Sequence, residues 1–297
     1  MYNKGMLPEG TFNDKVVLIT GGGTGLGKSI GEYLVKLGAK IIITSRRQNV
    51  IDETAEEFNK ISKNSTIAIA GDVRNHEDVK NVIETGFKHF KSIDCLINNA
   101  AGNFISPTER LTPGAFDAII DIVLKGSTYY TLLLGKKWIK NKIPGTILNI
   151  TTTYAFTGSG YVIPSACAKG GLSSMTRSIA AEWAKYKIRC NAIAPGPFPT
   201  KGAWDRLAPG GKGANMMESI PMKRTGELSE LANLATFLMA DGVDYLTGEI
   251  ITIDGAQWLN HAGNFYEMLK DVTDQEWEQL RNMIKASNDA DKAKRSV

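Results

Sequence analysis

The sequence predicts a single doubly wound α/β domain with a mainly parallel sheet, helices on both faces and a C-terminal helical extension. Short apolar runs alternate with helical patterns at the spacing of βαβ units. A glycine cluster follows the first apolar run. Hydrophobic residues make up 42% of the 297 residues and charged residues 22%, close to the average for globular domains. A chain of this length can bury a large core without disulfide or metal staples.

The predicted strands are short and mostly apolar, as expected for strands that are buried on both faces of a parallel sheet. In order along the chain they cover residues 15–20, 39–45, 66–70, 94–98, 146–151, 189–194 and 249–253. Between the strands, apolar residues recur at helical spacing, and Gly38 ends the first helix as a C-terminal glycine. The helical patterns include residues 31–37, 51–63, 77–89, 113–140, 165–186 and 228–239, with a loop around 195–220.

The chain divides into three parts by composition. They are a polar N-terminal arm (1–13), the α/β domain (14–262) and a C-terminal extension (263–297). Within the extension, residues 273–276 form a capping box that begins a helix with an apolar stripe of Trp277, Leu280 and Ile284. This stripe must dock on the same domain or on a neighbouring subunit, and the last eleven residues are expected to fray.

Charge and composition exclude several classes of protein. Thirty-five Lys and Arg against thirty-one Asp and Glu give a net charge of +4, too small for a typical nucleic-acid binder. No apolar run approaches the ~20 residues of a membrane helix. The N-terminus does not resemble a signal or transit peptide, and the last four residues are not a peroxisomal signal. We therefore expect a soluble, cytoplasmic protein without nucleic-acid or membrane partners.

The cysteines and histidines predict neither disulfides nor a metal site. The cysteines, which form no C-x-x-C pair, are Cys95, Cys167 and Cys190. We expect all three to be buried small residues of a reduced protein. The three histidines are scattered and lack the spacing of metal ligands.

Residues 20–27, TGGGTGLG, predict a Rossmann-type dinucleotide site. Glycines between a first strand and a first helix let the backbone approach a pyrophosphate at the helix N-terminus. The spacing is G-x-x-x-G-x-G rather than G-x-G-x-x-G, which indicates a particular branch of dinucleotide folds. The candidate contacts are Gly21, Gly23, Thr24, Gly25 and Leu26.

The end of the second strand favours NADPH over NADH. An NAD-binding carboxylate is missing there, and the chain reads Ser45-Arg46-Arg47. The Arg46 guanidinium can form a fork with a 2′-phosphate, although a solvated arginine pair is the alternative. Residues 27–31 also match the hydrolase pattern G-x-S-x-G, but Ser29 is expected inside the helix rather than in the strand-to-helix turn.

Four ordered motifs resemble the short-chain dehydrogenase/reductase family. They are TGGGTGLG, Asn98-Asn99-Ala100-Ala101-Gly102, Lys169 in the helix after the fifth strand, and Pro195-Gly196-Pro197 after the sixth. The resemblance implies a nicotinamide-dependent oxidoreductase that is a dimer or tetramer. It also implies further cofactor contacts at Asp72, Val73, Asn99, Ala100, Lys169, Pro195, Gly196, Pro197 and Phe198.

The chain departs from that family at its catalytic tyrosine. The position four residues before Lys169 holds Ser165, whose hydroxyl is a far weaker acid than a phenol of pKa ~10. Either the chain is not catalytic or the acid lies elsewhere. Two tyrosines compete for the role: Tyr161 precedes the helix, and Tyr154 directly follows the fifth strand. The carboxyl edge of the sheet, where Tyr154 is expected, is where open α/β folds bind ligands.

Three segments are similar to mitochondrial-type 2,4-dienoyl-CoA reductases: NFISPTERL (103–111), TTTY (151–154) and PSACAK (164–169). The similarity implies reduction of an acyl-CoA substrate by NADP(H), in a homo-oligomer for which a tetramer is favoured. It implies a catalytic set of Tyr154, Asn103, Lys169 and Ser165, with Lys169 orienting the nicotinamide ribose. The implied substrate contacts are Arg74, Phe104, Thr112 and Arg206.

Two alternatives remain open at this point. One is another short-chain reductase that acts on an enoyl thioester or a carbonyl. The other is a non-catalytic NADPH-binding module, which the serine at position 165 suggests. Lys125 stands where many family members carry a helical asparagine of a proton relay, so a conventional carbonyl-reductase relay is not expected.

Overall fold

A seven-stranded parallel sheet forms the centre of the protein. The computed structural model describes residues 5–200, 216–260, 268–269 and 271–293. The strands are β1 (Val16–Thr20), β2 (Lys40–Ser45), β3 (Thr66–Ala70), β4 (Cys95–Asn98), β5 (Gly145–Ile150), β6 (Ile188–Pro195) and β7 (Ile250–Ile253). Their order in the sheet is β3-β2-β1-β4-β5-β6-β7, and all six neighbouring pairs are parallel. The strand order reverses between β1 and β4, which is the position at which open α/β sheets bind ligands.

Helices cover both faces of this sheet, which confirms the doubly wound fold. The main helices are α1 (Gly25–Lys36), α2 (Gln48–Ile61), α3 (His76–Phe90), α4 (Pro113–Ile120), α5 (Gly126–Asn141), α6 (Tyr154–Thr157) and α7 (Ile163–Trp183). Four more follow: α8 (Met216–Ser219), α9 (Leu228–Met239), α10 (Gln257–Asn260) and α11 (Asp274–Ala293). One core layer contains Leu34, Phe58 and Leu231 from α1, α2 and α9. The opposite layer contains Trp138 of α5 and Trp183 of α7.

The helix predicted over 113–140 is interrupted by one π-helical turn, Asp121–Lys125, between α4 and α5. The whole stretch, Pro113–Asn141, is long and apolar enough to cross a membrane by length and composition alone. However, Tyr130, Leu134 and Trp138 are fully buried in the core layer against the sheet. Burial of one whole helix face is the pattern of a core helix in a layered domain.

Both ends of the described chain pack on the domain. Phe12 of the N-terminal arm is buried in the core, and its backbone N–H donates to the Leu37 carbonyl at 2.9 Å. The stripe of α11 docks on this same domain, where Trp277 and Leu280 are buried beside Val162. The predicted boundary at 262 and 263 lies outside the described residues.

The expectation that all three cysteines are buried is wrong for one of them. Cys95 and Cys190 are buried in their strands, whereas Cys167 is exposed on α7. Burial on a helix depends on which face the residue occupies. Ser165, Ala168 and Lys169 take the inner face of this helix, which leaves Cys167 outside.

Candidate active site

The glycine-rich loop joins β1 to α1 at the carboxyl edge of the sheet. Gly21 has a φ of +65°, and a Cβ there would lie 3.0 Å from the Cα of Ala100. Gly25 has a φ of +55°. Thr24 is the N-cap residue of α1, but its side chain does not cap the helix, and the first turn has no acidic residue. The first N–H groups of α1 are therefore suited to an anionic ligand.

The Thr20 side chain joins the ends of β1 and β4. Its hydroxyl oxygen accepts from the backbone N–H groups of Asn99 and Ala100, both at 3.0 Å. In return the Asn99 amide donates to the carbonyls of Thr20 and Gly21, also at 3.0 Å. Asn99 and Ala100 thus hold the glycine loop against the start of the segment that follows β4. Thr20 begins the TGGGTGLG motif, but its role in joining two strand ends was not predicted; a threonine at a strand end beside a glycine loop is a usable signal.

A groove of about 370 Å³ lies over this edge of the sheet. Its lining includes Gly21, Gly23 and Thr24 from the loop, Arg46 and Arg47 after β2, Asp72 and Val73 after β3, Ala100 to Phe104 after β4, and Asn288 and Asp291 from α11. The groove thus brings together seven of the fifteen predicted cofactor residues, from the glycine loop and from the ends of β2, β3 and β4. Asn288 and Asp291 had no signal in the sequence, because they lie in a segment expected to fray. That expectation is wrong for residues 287–293, since α11 continues to Ala293.

Asp72, which lines the groove, interacts with the two arginines Arg74 and Arg46. Burial acts to raise the pKa of Asp72, but hydrogen bonds from Arg74 and the charges of Arg74 and Arg46 outweigh it and hold this pKa below its ordinary value. The Arg74 Nε atom lies 3.0 Å from each Asp72 carboxylate oxygen. Arg74, a predicted substrate contact, is therefore engaged by Asp72 while its side chain stays 42% exposed.

Tyr154, at the start of α6, is the centre of the predicted catalytic set. Its hydroxyl accepts from the Asn103 side-chain amide at 3.0 Å and shares a 2.9 Å hydrogen bond with the Ser165 hydroxyl, in which either oxygen can donate. Burial raises the pKa of Tyr154, while hydrogen bonds with Ser165 and Thr152 act in the opposite direction. The phenol is therefore neutral at physiological pH and can donate a proton or a hydrogen bond.

Lys169 is buried one helical turn after Ser165. Its ammonium group donates to the carbonyl of Ile150, the last residue of β5. Burial lowers the pKa of Lys169 to about 8. Lys169 is thus a cation held in a poorly solvated position at the carboxyl edge of the sheet, on the same helix as Ser165.

The residues predicted on the substrate side of the site differ in their burial and in their contacts. Phe104 lines the groove and packs against Ile119 and Val123. The Thr112 hydroxyl accepts from the Ala115 N–H at 3.2 Å and so caps α4. Lys125 is about half exposed and forms a 2.7 Å ion pair with Asp121. Arg206 lies outside the described residues.

The segment after β6 is fixed by backbone hydrogen bonds. The Gly196 N–H donates to the Ile253 carbonyl at 3.0 Å, and a Cβ at Gly196 would lie 2.4 Å from that of Asp254. The Pro197 carbonyl accepts from the Gly226 N–H at 3.0 Å. Phe198 is buried in the core layer of α1 and α9. Pro195 to Phe198 thus form a closely packed turn at the same sheet edge as the groove.

The two candidate tyrosines have different contacts. Tyr154 is hydrogen-bonded to Asn103 and Ser165, whereas the Tyr161 ring packs against the Trp277 ring with 5.1 Å between the centroids. Among the described residues, no group of three or more His, Cys, Asp or Glu could hold a metal ion. Asn103, Tyr154 and Ser165 are neutral groups that can donate hydrogen bonds to an oxygen atom of a ligand.

Comparison with known proteins identifies the relatives of this chain. Residues 21–256 match the family model described as "Enoyl-(Acyl carrier protein) reductase". A Caenorhabditis elegans protein named "Probable 2,4-dienoyl-CoA reductase 3 [(3E)-enoyl-CoA-producing]" is 40% identical over 98% of this chain and 96% of its own. A Bacillus subtilis protein named "Probable 2,4-dienoyl-CoA reductase [(2E)-enoyl-CoA-producing]" is 42% identical over 83% of this chain and 97% of its own.

A solved structure shares the architecture. The crystal structure of a short-chain dehydrogenase from Bacillus anthracis superposes with a TM-score of 0.76 at 39% identity. It covers 84% of this chain and 98% of its own. The likeness therefore extends over the whole α/β domain rather than over the glycine loop alone.

The lowered pKa of Lys169 predicts a distinct dependence of stability on pH. Between about pH 8 and 10.5, the cofactor-free folded state holds Lys169 neutral while the unfolded state still binds its proton, so folding stability rises with pH. Urea unfolding should show that Lys169→Met is more stable than the wild type at pH 7. This advantage should shrink by about 3 kcal/mol by pH 10.5, since one pKa unit corresponds to about 1.4 kcal/mol. An advantage that stays constant over this range would contradict the burial of a charged Lys169.

Proposed function

Because this chain belongs to the short-chain dehydrogenase/reductase family, we propose that it is an NADPH-dependent reductase of 2,4-dienoyl-CoA thioesters, which forms enoyl-CoA in the β-oxidation of unsaturated fatty acids. The observation that carries this proposal is the Tyr154 hydroxyl, hydrogen-bonded to both Asn103 and Ser165 at the carboxyl edge of the sheet. The names of the relatives from C. elegans and B. subtilis support the substrate class.

The residues of the groove fit a nicotinamide dinucleotide. A side chain at Gly21 or Gly23 would collide with neighbouring residues, so both positions need glycine and their backbone stays accessible to a ligand. The start of α1 offers uncapped N–H groups for a pyrophosphate. Arg46 is exposed at the end of β2 and faces the groove, as a 2′-phosphate requires. Asp72 and Val73 would line the adenine side. When bound, NADPH supplies the hydride.

The substrate chemistry explains why the acid can occupy the position of Tyr154. Reduction at the far end of a conjugated dienoyl thioester moves negative charge onto the thioester oxygen, several bonds away. That oxygen needs hydrogen-bond donors placed in advance, as in an oxyanion hole. In a simple ketone, by contrast, the reduced carbon and the protonated oxygen are adjacent, which requires the acid beside the nicotinamide.

Tyr154 and Asn103 can act as a pair of donors to that oxygen. The Asn103 amide has two N–H groups, one of which donates to the Tyr154 hydroxyl, so the other can serve the substrate. The burial that raises the pKa of Tyr154 keeps its proton in place until charge develops on the substrate. Ser165 orients the hydroxyl from the first turn of α7, and we assign Lys169 to the nicotinamide ribose.

We further propose the remaining features of the enzyme. Residues 14–262 form the reductase domain, and Arg74, Phe104, Thr112 and Arg206 contact the acyl-CoA substrate. The enzyme is a cytoplasmic homo-oligomer, for which a tetramer is favoured. Partly exposed small residues on α7, such as Ala166 and Gly170, support close approach of a second subunit along this helix.

A panel of three substrates tests the reaction. Purified protein with NADPH should oxidise the cofactor when a 2,4-dienoyl-CoA is added, as followed by absorbance at the nicotinamide band. An enoyl-CoA and a simple ketone should give little turnover. Turnover of the enoyl-CoA would favour a second candidate function, that of a short-chain reductase acting on enoyl thioesters. The description of the matching family model supports this candidate. NADPH binding without turnover of any of the three would indicate a non-catalytic module.

Removing the Tyr154 hydroxyl should abolish most of the activity. Tyr154→Phe keeps the ring but deletes a donor, and loss of one such donor lowers kcat by about 10²–10³. Asn103→Ala should cost a similar factor, and the double variant less than the product of the two if both donors serve one oxygen. NADPH affinity, from fluorescence titration, should be nearly unchanged. The matched control is Tyr186→Phe, an exposed tyrosine after α7, which should keep wild-type turnover.

Arg46 should set the choice between cofactors. In Arg46→Asp, loss of the guanidinium fork and repulsion of the 2′-phosphate should weaken NADPH binding by about two decades, with a much smaller effect on NADH. Lys63→Asp makes the same charge change beyond the other end of α2 and should leave the preference as it is. Equal losses for NADPH and NADH in Arg46→Asp would rule out the 2′-phosphate assignment.

A further inference from the structure

We propose that Trp277 of the C-terminal helix is a positioning residue for Tyr154 and that it acts through Tyr161. The proposal rests on the proposed function in so far as Tyr154 is the reacting group. It assigns a role in the reaction to the C-terminal extension, which lies outside the residues of the family match.

Trp277 and Tyr161 form the centre of an apolar cluster beside the site. Their rings lie 5.1 Å apart between centroids and are tilted by 33°. Trp277 is only 7% exposed, and the buried cluster around it contains Ile105 and Val162. Tyr154 packs against this same cluster. An aromatic pair of this kind contributes more than the burial of its area alone.

Tyr161 is the junction between the segments that carry the catalytic set. Its carbonyl accepts from the Ser106 N–H at 2.9 Å, three residues after Asn103. Two residues later α7 begins, and its first turn carries Ser165. Tyr161 itself has a φ of +64°, a left-handed conformation that is unfavourable for a bulky residue. Such a conformation persists only where the surrounding packing holds it.

The chain between Tyr154 and Tyr161 cannot impose this geometry by itself. It contains Gly158, with a φ of +72°, and Gly160, and residues 156–158 are exposed. A glycine-containing connection leaves the backbone many alternative conformations. The position of Tyr161 relative to Tyr154 therefore depends on contacts from outside this connection, and Trp277 supplies the ring contact.

The C-terminal helix is itself fixed to the segment of Asn103. Arg110 forms ion pairs with Asp274 at 2.9 Å and Glu278 at 2.7 Å on the first two turns of α11. The predicted capping box is present, with the Thr273 N–H donating to the Glu276 carboxylate at 2.8 Å. Further along, α11 reaches the cofactor groove. One helix thus borders both the catalytic tyrosine and the cofactor groove.

A double-mutant cycle tests the proposal. Trp277→Ala should lower kcat for the dienoyl-CoA about tenfold or more in the wild-type background, since small displacements of a reacting group are costly. In the Tyr154→Phe background the same change should have less than about a twofold effect, because the hydroxyl that it positions is gone. Trp277→Phe, which keeps an aromatic contact, should restore most of the activity. Met283→Ala, on the exposed face of the same helix, is the matched control.

A second readout does not depend on turnover. With tyrosine labelled at ¹³Cζ, Tyr154 is assigned from the signal that Tyr154→Phe removes, and its pKa is followed by titration. Its hydroxyl bonds to Asn103, Thr152 and Ser165, which are neutral groups. Loss of the cluster in Trp277→Ala admits water, so the pKa should fall toward its ordinary value, while Trp277→Phe keeps the wild-type titration.

The outcomes separate this proposal from the proposed function. Equal losses of kcat in both Tyr154 backgrounds, or an unchanged Tyr154 titration in Trp277→Ala, would overturn the positioning role. Absence of turnover by the wild-type enzyme on any substrate would overturn the proposed reaction instead. In that case the titration alone decides whether Trp277 holds Tyr154.

Discussion

The hydrogen bonds of the Thr20 hydroxyl fix the edge of the sheet on which the whole site depends. One buried oxygen accepts from two successive backbone N–H groups, those of Asn99 and Ala100, and so joins β1 to the residues after β4. This is the point at which the strand order reverses, so the neighbouring helices diverge and leave a groove. The glycine loop lies on one side of the junction. The segment that carries Asn103 begins on the other.

Three neutral residues of the proposed catalytic set meet near that edge. Asn103, Tyr154 and Ser165 come from three separate segments and meet around one phenolic oxygen. The buried ammonium of Lys169 is held at the end of β5 instead. An arrangement of this kind retains the phenol proton and stabilises charge that appears at a distance. The proposed reduction of a conjugated thioester requires this property, because its negative charge develops far from the reduced carbon.

The C-terminal helix borders the candidate site from outside the residues of the family match. Its apolar stripe buries Trp277 and Leu280 against the domain, and its last turns reach the cofactor groove. The two ion pairs of Arg110 with this helix are partly exposed, so each adds little to stability. Their main effect is to fix the position of the helix along the surface of the domain. Burial of the apolar stripe provides most of the attachment of α11 to the domain.

The sequence by itself determined the βαβ order, the glycine loop, the arginine pair after β2 and the replacement of the usual tyrosine by Ser165, because these depend on local periodicity and on spacing within one element. Only the tertiary structure placed Tyr154 between Asn103 and Ser165, paired Arg74 with Asp72, and docked α11 on its own domain. Those outcomes depend on contacts between segments far apart in the chain. Hydrophobic periodicity shows that the stripe of Trp277 must be buried, but it carries no information about the surface that buries it.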